Sequence, residues 1–149
     1  MAALLLVVTE FATVASVDVA SGSCEVINDA NPELADRCEL SGFERHGGAF
    51  ILLGALAGAM AWGAGIGGSR PAAFALIALG LLVLGWSLGF DLPESDEEGV
   101  LRSYEGARGA AGPGLTIEIA AGALALAAGA LALAAGALAL AAGGDSSVE

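Results

Sequence analysis

Lysine is missing from this 149-residue chain: its five basic side chains are all arginine, and there is a single histidine, His46. The first absence removes the lysine of a phosphate-binding loop and any Schiff-base chemistry. One histidine without a nucleophile elbow gives hydrolase chemistry little support. Basic residues are also outnumbered by seventeen acidic ones, for a net charge of −12, so no basic face exists to neutralise phosphates and no nucleic-acid partner is expected. No His/Cys spacing typical of a metal site occurs. No catalytic residue, no metal and no cofactor are therefore expected, and the chain does not read as an enzyme.

What fills the sequence instead is apolar. It is 56% hydrophobic with 23 glycines and a mean hydropathy of +0.77. Charge gathers in two blocks, residues 25 to 45 and 91 to 108, and the apolar residues lie outside them. Near the C-terminus, residues 122 to 143 read GALALAAGALALAAGALALAAG, the heptad GALALAA three times with a closing glycine. A strand would put Leu124 and Leu126 on one side and Leu131 and Leu133 on the other, because seven is odd; no consistent face results. A helix stacks Gly122, Gly129 and Gly136 into one stripe, with every other stripe equally apolar. A chain of this size cannot bury such a helix on all sides. The 26 uncharged residues between Glu118 and Asp145 make roughly 39 Å of helix, enough to cross a hydrocarbon core of about 30 Å.

Four apolar stretches follow from this criterion, at about 2–20, 49–68, 72–90 and 115–143, joined by hydrophilic loops 21–48 and 91–114. The expectation is an all-α, integral membrane four-helix bundle, up-down-up-down, forming a single membrane domain over 1–149. Between the second and third stretches only Ser69-Arg70-Pro71 intervenes. This predicts a tight antiparallel hairpin, with Pro71 in the first turn of the helix it opens. The first stretch is the weakest: its nine apolar side chains are worth roughly −3.5 kcal/mol of insertion, about what one central Glu10 costs. A signal peptide ending near Val19-Ala20-Ser21 is the competing reading, but a basic leader is lacking and Glu10 interrupts the apolar core. An uncleaved helix is preferred.

Cys24 and Cys38, spaced C-x13-C in the first hydrophilic loop, read as one disulfide in an oxidising compartment. That places the acidic loops outside and both termini and the Arg70 loop in the cytoplasm. The arginine count of the loops argues the opposite orientation.

Glu10 is the residue of most interest. An intramembrane carboxyl must be neutral or paired, and with Thr9, Thr13 and Ser16 it would form a polar stripe on the first helix. It serves either as a proton or cation relay or as a hydrogen bond to a neighbouring helix that fixes packing; the second is preferred. Glu118 and Asp18 are expected at the membrane interface. Helix packing is assigned to small-residue stripes: Ala55, Ala59, Gly63 and Gly67 (with Gly54 and Gly58), Gly85 and Gly89, and the heptad glycines. Gly63, Gly65 and Gly68 match GxGxxG but end a membrane helix and follow no strand. His46 with Arg45, Cys24, Cys38 and nearby acids lacks metal spacing. The acidic run from Asp91 to Glu98 lacks the glycine-centred loop of a calcium site.

The segments GSRPAAFALIALG, DLPE and GPG resemble those of a group of small, uncharacterised four-helix bacterial integral membrane proteins, over about residues 67 to 120. The resemblance implies a multi-pass membrane protein and supplies no catalytic residue. The cysteine-bearing outer loop is also similar to that of claudins, whose tryptophan signature is missing here. The expected role is a structural or assembly component of the cell membrane whose partners are the lipid bilayer and a second copy or another membrane protein. The alternative is a small transporter or channel subunit using Glu10.

Overall fold

A computed structural model describes residues 1–18, 39–95 and 108–144; Cys24 and Cys38 lie outside these, as does most of each acidic block. The described chain is mostly helical. Its elements are α1 (Ala2–Thr9), β1 (Thr13–Asp18), β2 (Glu39–Ser41), α2 (Gly42–His46), α3 (Ala49–Gly65), α4 (Arg70–Trp86), a π-helical turn Ser87–Asp91, α5 (Leu92–Ser95), β3 (Arg108–Ala111) and α6 (Pro113–Gly144).

The helix expected over 2–20 stops at Thr9. Thr9 Oγ1 turns back onto the Leu6 carbonyl at 2.7 Å, the chain turns through Glu10 and Phe11, and the residues beyond are β-branched or small: Thr13, Val14, Ala15, Ser16, Val17. Such residues lose rotamer freedom in a helix and suit a pleated surface. They form the central strand of a three-stranded antiparallel sheet ordered β2-β1-β3. Ala15 faces Leu40 on one side and Ala111 on the other, and a bulge lies between Thr13 and Ala15 on the β2 side. Both expected loops thus contribute strands, and the first also contributes α2. An apolar count cannot separate these states, because valine and alanine raise hydropathy equally in strand and helix.

Two corners fasten this sheet to the helices. Gly42 packs so closely on the Thr9 carbonyl and Glu10 Cα that a Cβ has no room, and the Gly42 and Phe43 N–H groups donate to Ala12 O and Glu10 O at 3.0 and 2.8 Å. Gly112 likewise lies against the Thr13 carbonyl, donating its N–H to Val14 O at 2.7 Å just before α6 begins.

α3 and α4 form the expected hairpin, with Ser69 capping the Ala72 N–H at 3.4 Å and proline in the first turn. α4 and α6 make the most intimate contact. A Cβ on Gly80 would stand 2.6 Å from Leu126 N and 2.7 Å from Gly122 O. One on Gly129 would meet Ala73 O at 2.6 Å. Around this seam Leu6, Phe50, Ala57, Leu76, Leu79, Val83, Ala121 and Ala125 form the apolar core.

The small-residue stripes divide. Gly122 and Gly129 lie against α4, whereas Gly136 has nothing within 4 Å. On α3 the inward pair is Gly54 and Gly58, seated on Ala3 and Val7 of α1, and a Cβ on Gly63 would stand 3.3 Å from Ala72 Cβ. Ala55 and Ala59 face outward, Gly67 is exposed, and Gly85 and Gly89 have open space where a side chain would be. A four-residue spacing identifies a face but not its direction; the inward direction on α3 was set by α1.

Among the described helices two are long and apolar enough to cross a membrane, Arg70–Asp91 and Pro113–Ala142; α3, with 17 residues, is shorter. α1, at 8 residues or about 12 Å, reaches only part of the way along its neighbours.

Candidate functional site

The chemically distinctive region lies where the sheet meets the helices. α2 is built by its own sequence: Ser41 and Glu44 form a reciprocal capping box, with Ser41 N–H donating to Glu44 Oε2 at 2.9 Å and Ser41 Oγ accepting the Glu44 N–H at 3.3 Å. Gly47, at φ 60°, then ends the helix in the left-handed region, which glycine adopts without penalty. The single turn and a half between these caps aims Arg45 and His46 at the ends of α4 and α6.

There they meet three carboxylates. Arg45 Nε donates to Asp91 Oδ1 at 2.9 Å. His46 Nε2 lies 3.3 Å from Asp91 Oδ2, and His46 Nδ1 lies 3.8 Å from Glu118 Oε1. The imidazole, 2% exposed, stacks on the Phe50 ring with centroids 4.3 Å apart. Glu118 is held by Ser87, whose hydroxyl donates to Oε2 at 3.2 Å. Glu10 accepts the Phe50 N–H on Oε1 at 2.7 Å. Glu10, Asp91 and Glu118 are all buried. The π-helical turn is what makes this possible: one wide turn places Ser87 and Asp91 on the same inward face, whereas Leu88 to Phe90 between them are exposed.

A ligand atom from each of His46, Asp91 and Glu118 falls within 4.8 Å of the others. Among the described residues three buried polar atoms have no hydrogen-bond partner: Glu10 Oε2, His46 Nδ1 and Glu118 Oε1. Burial opposes a charge on His46. The hydrogen bond to Asp91 and the negative charges of Glu118, Asp91 and Glu10 outweigh it and raise the imidazole above its ordinary value of 6.5. The arrangement can hold a cation among its carboxylates or stabilise an imidazolium between Asp91 and Glu118.

The expected stripe of Glu10, Thr9, Thr13 and Ser16 is not assembled. Glu10 is buried and bonded to Phe50, but Thr13 and Ser16 lie on β1, their hydroxyls directed at Glu39 and Ala110 at 3.5 Å. Glu118, expected at an interface, is 0% exposed, because α6 is enclosed at its start by β1, α1 and the π turn. Asp91, Ser87 and Phe50 had no sequence motif to mark them. The available signal was that Asp91 closes one long apolar run and Glu118 stands alone near the start of another. Farther along the bundle the core is apolar. The cavity of about 520 Å³ at the opposite end, between the hairpin and α6, carries polarity only at Ser69 and Arg70.

No protein-family model, no curated protein and no solved structure matches this chain.

Proposed function

We propose that this chain is a multi-pass integral membrane protein acting as a structural or assembly component rather than as an enzyme. One observation carries the reading: the outer surface of the helices is apolar all the way round. Leu52, Leu56 and Trp62 on α3, Phe74, Leu81 and Leu82 on α4, and Leu124, Leu131 and Leu138 on α6 are all exposed. α3 contains no charge and the one charge within α6, Glu118, is buried. Water offers such a surface no stable state, whereas hydrocarbon solvates it. The reading extends to a four-helix, up-down-up-down bundle of α1, α3, α4 and α6 in which α1 is a partial member. The Arg70 hairpin and the end of α6 face the cytoplasm, and the sheet lies outside. The assembly role is supported by the exposed Ala55 and Ala59 and by the open space beside Gly85, Gly89 and Gly136, which suit close approach by a helix of a second copy or of another membrane protein.

Membrane fractionation tests the first part. The protein should remain in the pellet after alkaline carbonate and require detergent for release; recovery as a monodisperse species in plain buffer refutes it. Ala59→Cys in a Cys24→Ser/Cys38→Ser background should form a cross-linked species in membranes, whereas a cysteine that stays monomeric and yields no partner adduct counts against assembly. For sidedness, Ser69→Cys in the same background should react with an impermeant thiol reagent only after permeabilisation.

The transporter reading draws on the company Glu10 keeps, since His46, Asp91 and Glu118 supply further titratable stations. Against it stand the engagement of Glu10 as a helix cap and the apolar core beyond. Proton flux in liposomes that disappears in Glu10→Gln would favour the transporter.

A further inference from the structure

Each buried carboxyl group at the head of the bundle engages an outer donor through one oxygen. Asp91 gives Oδ1 to Arg45 and presents Oδ2 to His46. Glu118 accepts from Ser87 on Oε2 and leaves Oε1 without a hydrogen bond, 3.8 Å from His46 Nδ1. Glu10 gives Oε1 to the Phe50 N–H and leaves Oε2 without a partner. Ligands held in this manner by outer donors are the usual construction around a bound metal, where the second layer orients the first. The alternative, leaving buried acceptors empty, costs the desolvation of each.

Charge points the same way. Among the described residues three buried carboxyl groups face one guanidinium and one imidazole. A divalent cation can take the place of the imidazole proton among them. The donor set, one imidazole nitrogen with carboxylate oxygens, suits a first-row transition ion better than calcium or magnesium, which prefer oxygen alone.

We propose that His46, Asp91 and Glu118 bind one divalent transition-metal ion of the zinc or manganese class, with Glu10 as an outer carboxylate and Ser87 and Arg45 as positioning residues. At metal–ligand distances of about 2.0–2.2 Å the three ligand atoms contract from their present 4.8 Å limit to roughly 3.4 Å apart for tetrahedral coordination. The ion ties α2, the π turn and the start of α6 together, and leaves a coordination position for water or a further ligand. This inference does not depend on the assembly role proposed above.

The test uses the full chain, purified in mild detergent, stripped with chelator and titrated with Zn²⁺ and with Co²⁺ as a spectroscopic probe. One ion per chain is expected, with cobalt d–d bands lacking a sulfur charge-transfer band. His46→Ala and Glu118→Gln should abolish the bands while near-UV circular dichroism reports an intact fold. Ser87→Ala should weaken affinity about 10- to 100-fold, the range for an outer-layer partner, and Cys24→Ser/Cys38→Ser should bind as the wild type does. The proposal is overturned if folded wild-type protein takes up no stoichiometric ion. It is equally overturned if binding survives both His46→Ala and Glu118→Gln, or if binding is lost with the cysteines.

Discussion

Glu10 caps a helix to which it does not belong: its Oε1 accepts the Phe50 N–H at 2.7 Å across 40 residues of sequence. The N-cap of α3 is Gly48, which has no side chain with which to satisfy the free N–H groups of the first turn. A carboxylate from the end of α1 does so instead, at the helix end where negative charge is favoured. The charge that made α1 a poor membrane span is thereby spent on fixing how α1 meets α3.

Replacing that acceptor gives the first prediction. Glu10→Leu removes the cap and leaves the Phe50 N–H buried without a partner, a loss of about 1–3 kcal/mol. Glu10→Gln keeps a carbonyl oxygen in place and should lose less. Thermal unfolding in detergent should rank wild type, Gln and Leu in that order, with Leu lowest.

The contact between α4 and α6 gives a pair of opposite outcomes from one kind of substitution. Gly80→Ala puts a methyl group 2.6 Å from Leu126 N and 2.7 Å from Gly122 O. Both are backbone atoms of a packed helix and cannot move aside singly, so a loss of about 1–3 kcal/mol is expected. Gly85→Ala meets nothing within 4 Å and should instead gain about 0.5–1 kcal/mol from helix propensity. Unfolding midpoints that move in the same direction for both variants would contradict the α4–α6 seam.

The contrast between those two glycines also marks the limit of what sequence alone could tell. The apolar runs of α3, α4 and α6 are readable because period and length are properties of the segment itself. Ser69 and Pro71 fixed the hairpin for the same reason. Whether Gly80 or Gly85 faces a neighbour depends on where α6 lies, which no local pattern encodes. The first stretch failed differently: Val14 and Val17 count as apolar in any state, and the decision to form β1 rests on partners at Leu40 and Ala111. The site was least legible. His46, Asp91 and Glu118 are far apart in sequence, and a π turn that brings Ser87 and Asp91 inward has no compositional signature.

Ser41→Ala separates local from long-range support of α2. Glu44 is exposed, and the Ser41 hydroxyl and N–H hold its carboxyl below the ordinary 4.5. Without the hydroxyl, the Glu44 carboxyl resonance should titrate closer to 4.5. Loss of an N-cap serine costs about 1 kcal/mol. The His46–Asp91 contact is made from the other end of α2 and should persist, visible as unchanged imidazole shifts in the NMR spectrum.

The last prediction concerns pH, in protein kept free of metal by chelator. Against the opposing effect of burial, the hydrogen bond to Asp91 and the charges of Glu118, Asp91 and Glu10 raise His46 above its unfolded value of 6.5. A group whose folded value is raised binds its proton more tightly when folded. Its stabilising contribution is therefore complete below about pH 6.5 and is lost as pH climbs through the raised folded value. Between those limits the wild-type unfolding midpoint should fall with increasing pH. His46→Gln removes the titration while the carboxylates remain in both proteins, so the difference between the two midpoints isolates the histidine. That difference should be largest in weakly acidic buffer and shrink toward alkaline pH; a difference that grows with pH would reverse the sign and place His46 in a neutral, not a cationic, role.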